Sequence, residues 1–143
     1  MKTVCREARS TSEFIDAIRL RVQVFIIEQG FAPGWEPDDE DKKARQFVAI
    51  HKSRVAATAR ARKCKGGFKI ERMAVRKDYR KKGVGKALAE HIVKAIGKES
   101  KILLQSQVKA RQFYEKCGFK ASSKPYKSWG FPHVDRYYYG LVK

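Results

Sequence analysis

Four cations and two glycines stand together at Arg80-Lys81-Lys82-Gly83-Val84-Gly85-Lys86-Ala87, where a strand-like pattern gives way to a helical one. A strand that runs into a glycine-rich helix start is a device for holding phosphate. The first helical N–H groups have no partner within the helix, and the macrodipole places partial positive charge there. Glycine lets anionic oxygens come close to the backbone. The chemistry expected at this point is therefore recognition of a phosphorylated ligand.

The spacing excludes two familiar phosphate cradles. A P-loop requires glycine, four residues and then Gly-Lys-Ser/Thr, which Gly83-Val84-Gly85-Lys86-Ala87 does not supply. A dinucleotide fingerprint requires Gly-x-Gly-x-x-Gly, and Leu88 stands where its third glycine belongs. What remains is Arg-x-x-Gly-x-Gly. Other chemistry-bearing types are sparse. Cys5, Cys64 and Cys117 are far apart, without CxxC or Cys/His ligand spacing, so neither a zinc site nor a disulfide framework is expected. The run Asp38-Asp39-Glu40-Asp41 lacks the alternating ligands of a calcium loop. It reads as a solvated acidic loop, or as a lure for a cationic amine.

These residues need elements to position them. Val84, Ala87, Leu88, His91, Ile92, Ala95 and Ile96 keep three- and four-residue spacing, which predicts an amphipathic helix ended by Gly97 and followed by Lys98. Phe68 to Val75 predicts the strand before it. Upstream, Lys2 to Ala8 reads as a strand. Phe14, Ile15, Ile18, Val22, Phe25 and Ile26 then predict a helix capped within Ser10-Thr11-Ser12. Gly30 to Asp41 reads as a loop, and Gln46 to Ile50 with Val55 to Ala61 as a hairpin turning at Lys52-Ser53. Downstream come a short strand Ile102 to Leu104, a helix Val108 to Cys117 ended by Gly118, a strand from Phe119, and an aromatic strand Val134 to Val142. The order is α/β with a mixed sheet.

Length and charge bound the rest. At 143 residues the chain fits one domain, residues 1–143, with a core that needs no disulfide. Three widely spaced cysteines, odd in number, make a reduced cytoplasmic setting the expectation, and neither a signal-peptide pattern nor a bilayer-spanning apolar run is read in the sequence. The net charge of +18 concerns electrostatic partners, not fold. The cations are scattered singly and in pairs without aromatic interleaving. A solvated basic surface is thus preferred over a nucleic-acid interface.

With its neighbours, the glycine segment resembles the GCN5-related N-acetyltransferase (GNAT) superfamily, and the resemblance covers nearly the whole chain. Ile70-Glu71-Arg72-Met73-Ala74-Val75 is similar to that family's central strand. Ala110-Arg111-Gln112-Phe113-Tyr114-Glu115-Lys116-Cys117-Gly118-Phe119 is similar to its later helix and following strand. Arg21 to Gln29, the acidic run and Pro132-His133 narrow the likeness to a branch of small single-domain bacterial and archaeal members. The resemblance implies the GNAT fold, a central mixed and mostly antiparallel sheet flanked by helices. It also implies acetyl-CoA as cosubstrate, no metal, and transfer of acetyl to a primary amine by direct attack in a ternary complex. A non-catalytic acyl-CoA-binding or basic nucleic-acid-associated module on the same fold is the rival.

Residue by residue, the resemblance assigns the pyrophosphate to Arg80, Lys81, Lys82, Gly83, Val84, Gly85 and Lys86. It assigns the pantetheine arm to the backbone of Met73, Ala74 and Val75, with amides there polarising the thioester carbonyl. Gln107 stands where many members carry an asparagine for that arm. Tyr114 would protonate the departing thiolate, as a phenol can at neutral pH. Glu71 would take the amine's proton, or else pair with Arg60 or Arg72. His133 is a second base candidate or a hydrogen-bonding residue. The acceptor side would be lined by Arg21, Phe25, Glu28, Arg60, Arg62 and His133. The partner implied is a small-molecule or protein amine, with no membrane; a homodimer is one option.

Overall fold

The computed structural model describes residues 2–97, 100–128 and 131–138. The expected continuation of the last strand through Tyr139 to Val142 lies outside these residues, as does Lys98. Among the described residues, eight strands form one sheet: β1 (Val4–Glu7), β2 (Arg45–His51), β3 (Arg54–Cys64), β4 (Gly67–Val75), β5 (Lys101–Gln107), β6 (Phe119–Ala121), β7 (Tyr126–Ser128) and β8 (Phe131–Tyr138). The order is β1-β2-β3-β4-β5-β8-β6, with β7 taking the other stretch of β8's outer edge. Every pairing is antiparallel except β4 with β5. That parallel pair is joined through α2 (Val84–Ile96), since parallel neighbours need a crossover. The sequence pattern did not separate β7 from its surroundings, because Tyr126-Lys127-Ser128 is too short to display alternation.

Period-two alternation sorts side chains to the two faces. In β2, Phe47 and Ala49 join the core cluster built with α2, while Val48 joins the cluster on the opposite face. In β3, Ala57, Ala59 and Ala61 turn toward the α2 side. α2 answers with Val84, Leu88, Ala89, Ile92 and Val93, all buried. Each large aliphatic among these stabilises by about 1.5–3 kcal/mol relative to exposure. Gly97 ends the helix at φ +106.

The opposite face is covered by α1 (Thr11–Arg21), capped by the Ser10 hydroxyl accepting from the Glu13 N–H at 3.2 Å. α1 runs straight into a π-helical segment, Val22–Glu28. The expected apolar stripe is corrected here. Ala17, Leu20, Val24 and Phe25 are the buried apolar residues, and Ile15 is 43% exposed. Arg21 enters the interior on this face because carboxylates await it there. The expected helix from Val108 is likewise split into a 3-10 turn, Val108–Ala110, and α3 (Arg111–Lys116).

Candidate functional site

The site begins with a slip in β4. Phe68 and Ile70 pack toward α2, and so do Met73 and Val75, a spacing of three where alternation demands two. The register with β3 absorbs the extra residue: Glu71 faces Arg60, but Ala74 faces Thr58, so Arg72 and Met73 together oppose Ala59. This is a β-bulge, and Arg72 carries it at φ +58. A left-handed non-glycine residue costs on the order of 1–3 kcal/mol, so its surroundings must hold it. They do. The Arg72 guanidinium lies 3.5 Å from the centroid of Trp35, donates to Glu36 at 2.6 Å and pairs with Asp38 at 3.0 Å.

Those contacts fasten the loop after the π segment onto the sheet. Arg21 is 1% exposed and donates to Asp41 at 2.8 and 2.9 Å and to Glu36. Arg60, 2% exposed, reaches Asp38 at 2.6 Å, Asp41 at 3.0 Å and Glu71 at 2.7 Å. Arg62 pairs with the other Glu71 oxygen at 2.8 Å, and Lys69 approaches it at 3.4 Å. Burial pushes the Glu71 carboxyl up, but hydrogen bonds and charge from Arg62 and Arg60 outweigh it and hold it at about 2. Asp41 is lowered in the same way, burial opposing and Arg21 prevailing. Two sequence expectations are corrected. The acidic run is not a solvated loop, because Asp38 and Asp41 neutralise buried arginines. Arg21, Arg60 and Arg62 do not line an acceptor site, because their guanidinium groups are consumed in this network. The pairing expected for Glu71 with Arg60 or Arg72 is met by Arg60, while the bulge turns Arg72 to Glu36 and Asp38.

On the cleft side, β4 and β5 separate. They pair from Gly67 with Lys101 to Ile70 with Leu104 and no further. The diverging halves, Glu71 to Met73 and Gln105 to Gln107, wall a cavity of about 200 Å³. Tyr114 of α3 and His133 of β8 also line it, as do Phe25, Phe31 and Trp35. His133 is in register with Gln107 across the β5–β8 pair. Phe31 stacks on Trp35 at 4.4 Å, and Phe25 meets that pair edge-on. The Gln107 amide donates to the Gln29 Oε1 at 2.8 Å, while its own buried Oε1 has no hydrogen-bond partner among the described residues.

Beyond this cleft, Gly83 at φ +82 starts α2, and no side chain caps it. The first bond back into the helix is from Ala87 N–H to Gly83 C=O, so the amides of Val84, Gly85 and Lys86 have no intrahelical acceptor. Gly85 serves packing: a Cβ there would meet Val75 and Phe113 at 3.0 Å. Lys81, Lys82 and Lys86 are exposed around this terminus. The Arg80 side chain turns back to the Val75 carbonyl at 2.9 Å and to Glu28 at 2.8 Å. Glu28 is therefore corrected too. It pairs with Arg80 beside a separate groove and does not line the cleft.

The model of the acetyltransferase (GNAT) domain matches residues 21–136. The chain belongs to the GNAT acetyltransferase family. The YyaT protein of Bacillus subtilis is 34% identical over 125 residues, which cover 83% of this chain and 84% of that protein. The crystal structure of Escherichia coli ElaA aligns with a TM-score of 0.84 at 22% identity, over 95% of this chain and 99% of that one. A Bacillus subtilis acetyltransferase solved in complex with CoA aligns with a TM-score of 0.67 at 18% identity, over 95% and 97%. These likenesses establish the GNAT acyl-CoA N-acyltransferase fold, with its mixed, mostly antiparallel sheet flanked by helices.

Acetyl-CoA is the donor this family uses, and the residues here fit it on three counts: the parted strands, the orphaned Gln107 oxygen and the uncapped helix start. Among the described residues, no cluster of His, Cys, Asp and Glu is disposed to hold a metal, and no helix is long and apolar enough to cross a membrane. Of the residues read from the sequence, Phe25, Glu71, Met73, Gln107, Tyr114 and His133 meet at one cleft. Sequence reasoning missed Phe31, Trp35, Glu36 and the bulge role of Arg72. The three-residue gap between Ile70 and Met73 carried a signal for the bulge, whereas the loop residues carried none.

Proposed function

We propose that this chain, read as a single catalytic domain over residues 1–143, is an acetyl-CoA-dependent N-acetyltransferase. A primary amine attacks directly in a ternary complex. The observation that carries the reading is the separation of β4 from β5 beside Tyr114, continuous in sequence with the uncapped start of α2. Acetyl-CoA supplies the acyl thioester. The amides of Val84, Gly85 and Lys86, with Lys81, Lys82 and Lys86 around them, are suited to hold its pyrophosphate. The backbone of Met73, Ala74 and Val75 serves the pantetheine arm, and the Gln107 oxygen accepts from one of its N–H groups.

Tyr114 holds the proton needed by the departing thiolate. Glu71, ionised and clamped by Arg60 and Arg62, fixes the bulge and the cleft wall and is a poor acceptor for an ammonium proton. His133 and water are left to take that proton. Cys117 is no nucleophile: it is buried in the α2 core, and burial, reinforced by Glu90, pushes its thiol up to about 11.

Calorimetry and a thiol-release assay test the reading together. Coenzyme A should bind, and Gly83→Glu should weaken it at least about tenfold by placing a carboxylate at the anion site. Tyr114→Phe should keep that binding and lose about 10²–10⁴ in kcat. Unchanged affinity in Gly83→Glu would sink the donor site. Binding without thiol release on any amine would favour the non-catalytic module.

A further inference from the structure

The acetyl-transfer reading leaves the acceptor unnamed, and the charge balance of the cleft narrows it. We propose that the acceptor is a small amine that also carries an anionic group, a carboxylate or a phosphate. This rests on the acetyltransferase reading and deepens it.

Among the described residues lining the cleft, Lys69, Arg72 and Lys109 are cations and Glu71 is the one carboxylate. Glu71 has nothing to offer a second ammonium group, because Arg60, Arg62 and Lys69 already surround it. The nearby acidic run gives no help to a polycation either: Asp38 and Asp41 face Arg60, Arg72 and Arg21. An aromatic cage is the other way to recognise a cation, and it is closed. Trp35 has Phe31 stacked at 4.4 Å, and the Arg72 guanidinium lies over the ring at 3.5 Å. A cation-binding acceptor pocket is thus missing both of its usual parts.

What the cleft does present is a cation. Lys109 is exposed on the turn after β5, while Lys69 is turned to Glu71 and Arg72 to Glu36 and Asp38. An exposed ammonium at the rim, with every lining carboxylate already paired, attracts an anion and disfavours a polyamine. The size agrees. Sites for drug-sized ligands run roughly 300–1,000 Å³, and about 200 Å³ must here also admit the thioester end. The acceptor head is therefore small, and its anion lies close to its amine.

The test is thiol release from acetyl-CoA with matched acceptors: phenylalanine against phenylalaninamide, O-phosphoethanolamine against ethanolamine, and spermidine as the cationic arm. The two pairs distinguish carboxylate from phosphate. The anionic member of at least one pair should exceed its neutral partner in kcat/KM by about tenfold or more, chiefly through KM. Lys109→Glu, an exposed substitution, should reverse that preference while leaving coenzyme A binding intact. Preference for spermidine, or equal use of charged and neutral partners, would overturn the inference and leave acetyl transfer standing. Failure with every amine would overturn both.

Discussion

Two residues whose roles looked interchangeable in the sequence separate once their neighbours are known. Glu71 is locked between Arg60 and Arg62 and stays ionised far below neutral pH. It cannot produce a titration limb between about pH 5 and 8. His133 lines the same cleft, and an imidazole can accept an amine's proton. His133→Gln should therefore lower kcat at least about tenfold with the fold kept. Glu71→Gln should lower activity together with stability, because Arg60 and Arg62 each lose a partner. Unchanged kcat in His133→Gln would assign the proton acceptance to water alone.

At the level of elements, the ion network does what apolar packing does elsewhere: it fixes the loop of Trp35 to Asp41 against β3 and β4. Removing one member of a buried pair leaves a charge without compensation, which costs about 3–5 kcal/mol. Arg21→Ala, outside the cleft lining, should lower urea stability by about that amount; a loss under about 1 kcal/mol would mean the network is solvated in solution. Acid should act on the same element. Glu71, Asp38 and Asp41 have folded values below their ordinary ones. Their contribution is therefore complete above the unfolded carboxylate range and is lost as pH falls through it, for Glu71 toward about 2. Denaturant midpoints measured from pH 6 down to pH 3 should fall, and Arg21→Ala should flatten that fall.

For the molecule as a whole, part of the +18 charge acquires a location. The cations of the network are arginines apart from Lys69, while Lys81, Lys82 and Lys86 stand exposed around the start of α2. A field of that sign should draw in a polyphosphate donor and should fade with screening, the Debye length falling from about 10 Å at 0.1 M to about 3 Å at 1 M salt. Coenzyme A affinity is expected to weaken severalfold across that range. A salt-independent affinity would place recognition in backbone amides alone. Much steeper salt-dependent RNA binding would instead revive the nucleic-acid module.

The sequence by itself determined what depends on local order: the glycine-rich helix start at Gly83, the alternation of β2 and β3, the amphipathic face of α2, and the family likeness written across them. Even the bulge was present, as the gap from Ile70 to Met73. Tertiary structure decided everything that depends on pairing charges distant in the chain. Arg21 meets Glu36 and Asp41, and Arg60 meets Asp38 and Glu71, only when the sheet and loop close over them. A carboxylate or guanidinium looks alike in sequence whether it is solvated, catalytic or buried. Its partners settle which, and those partners are set by the fold.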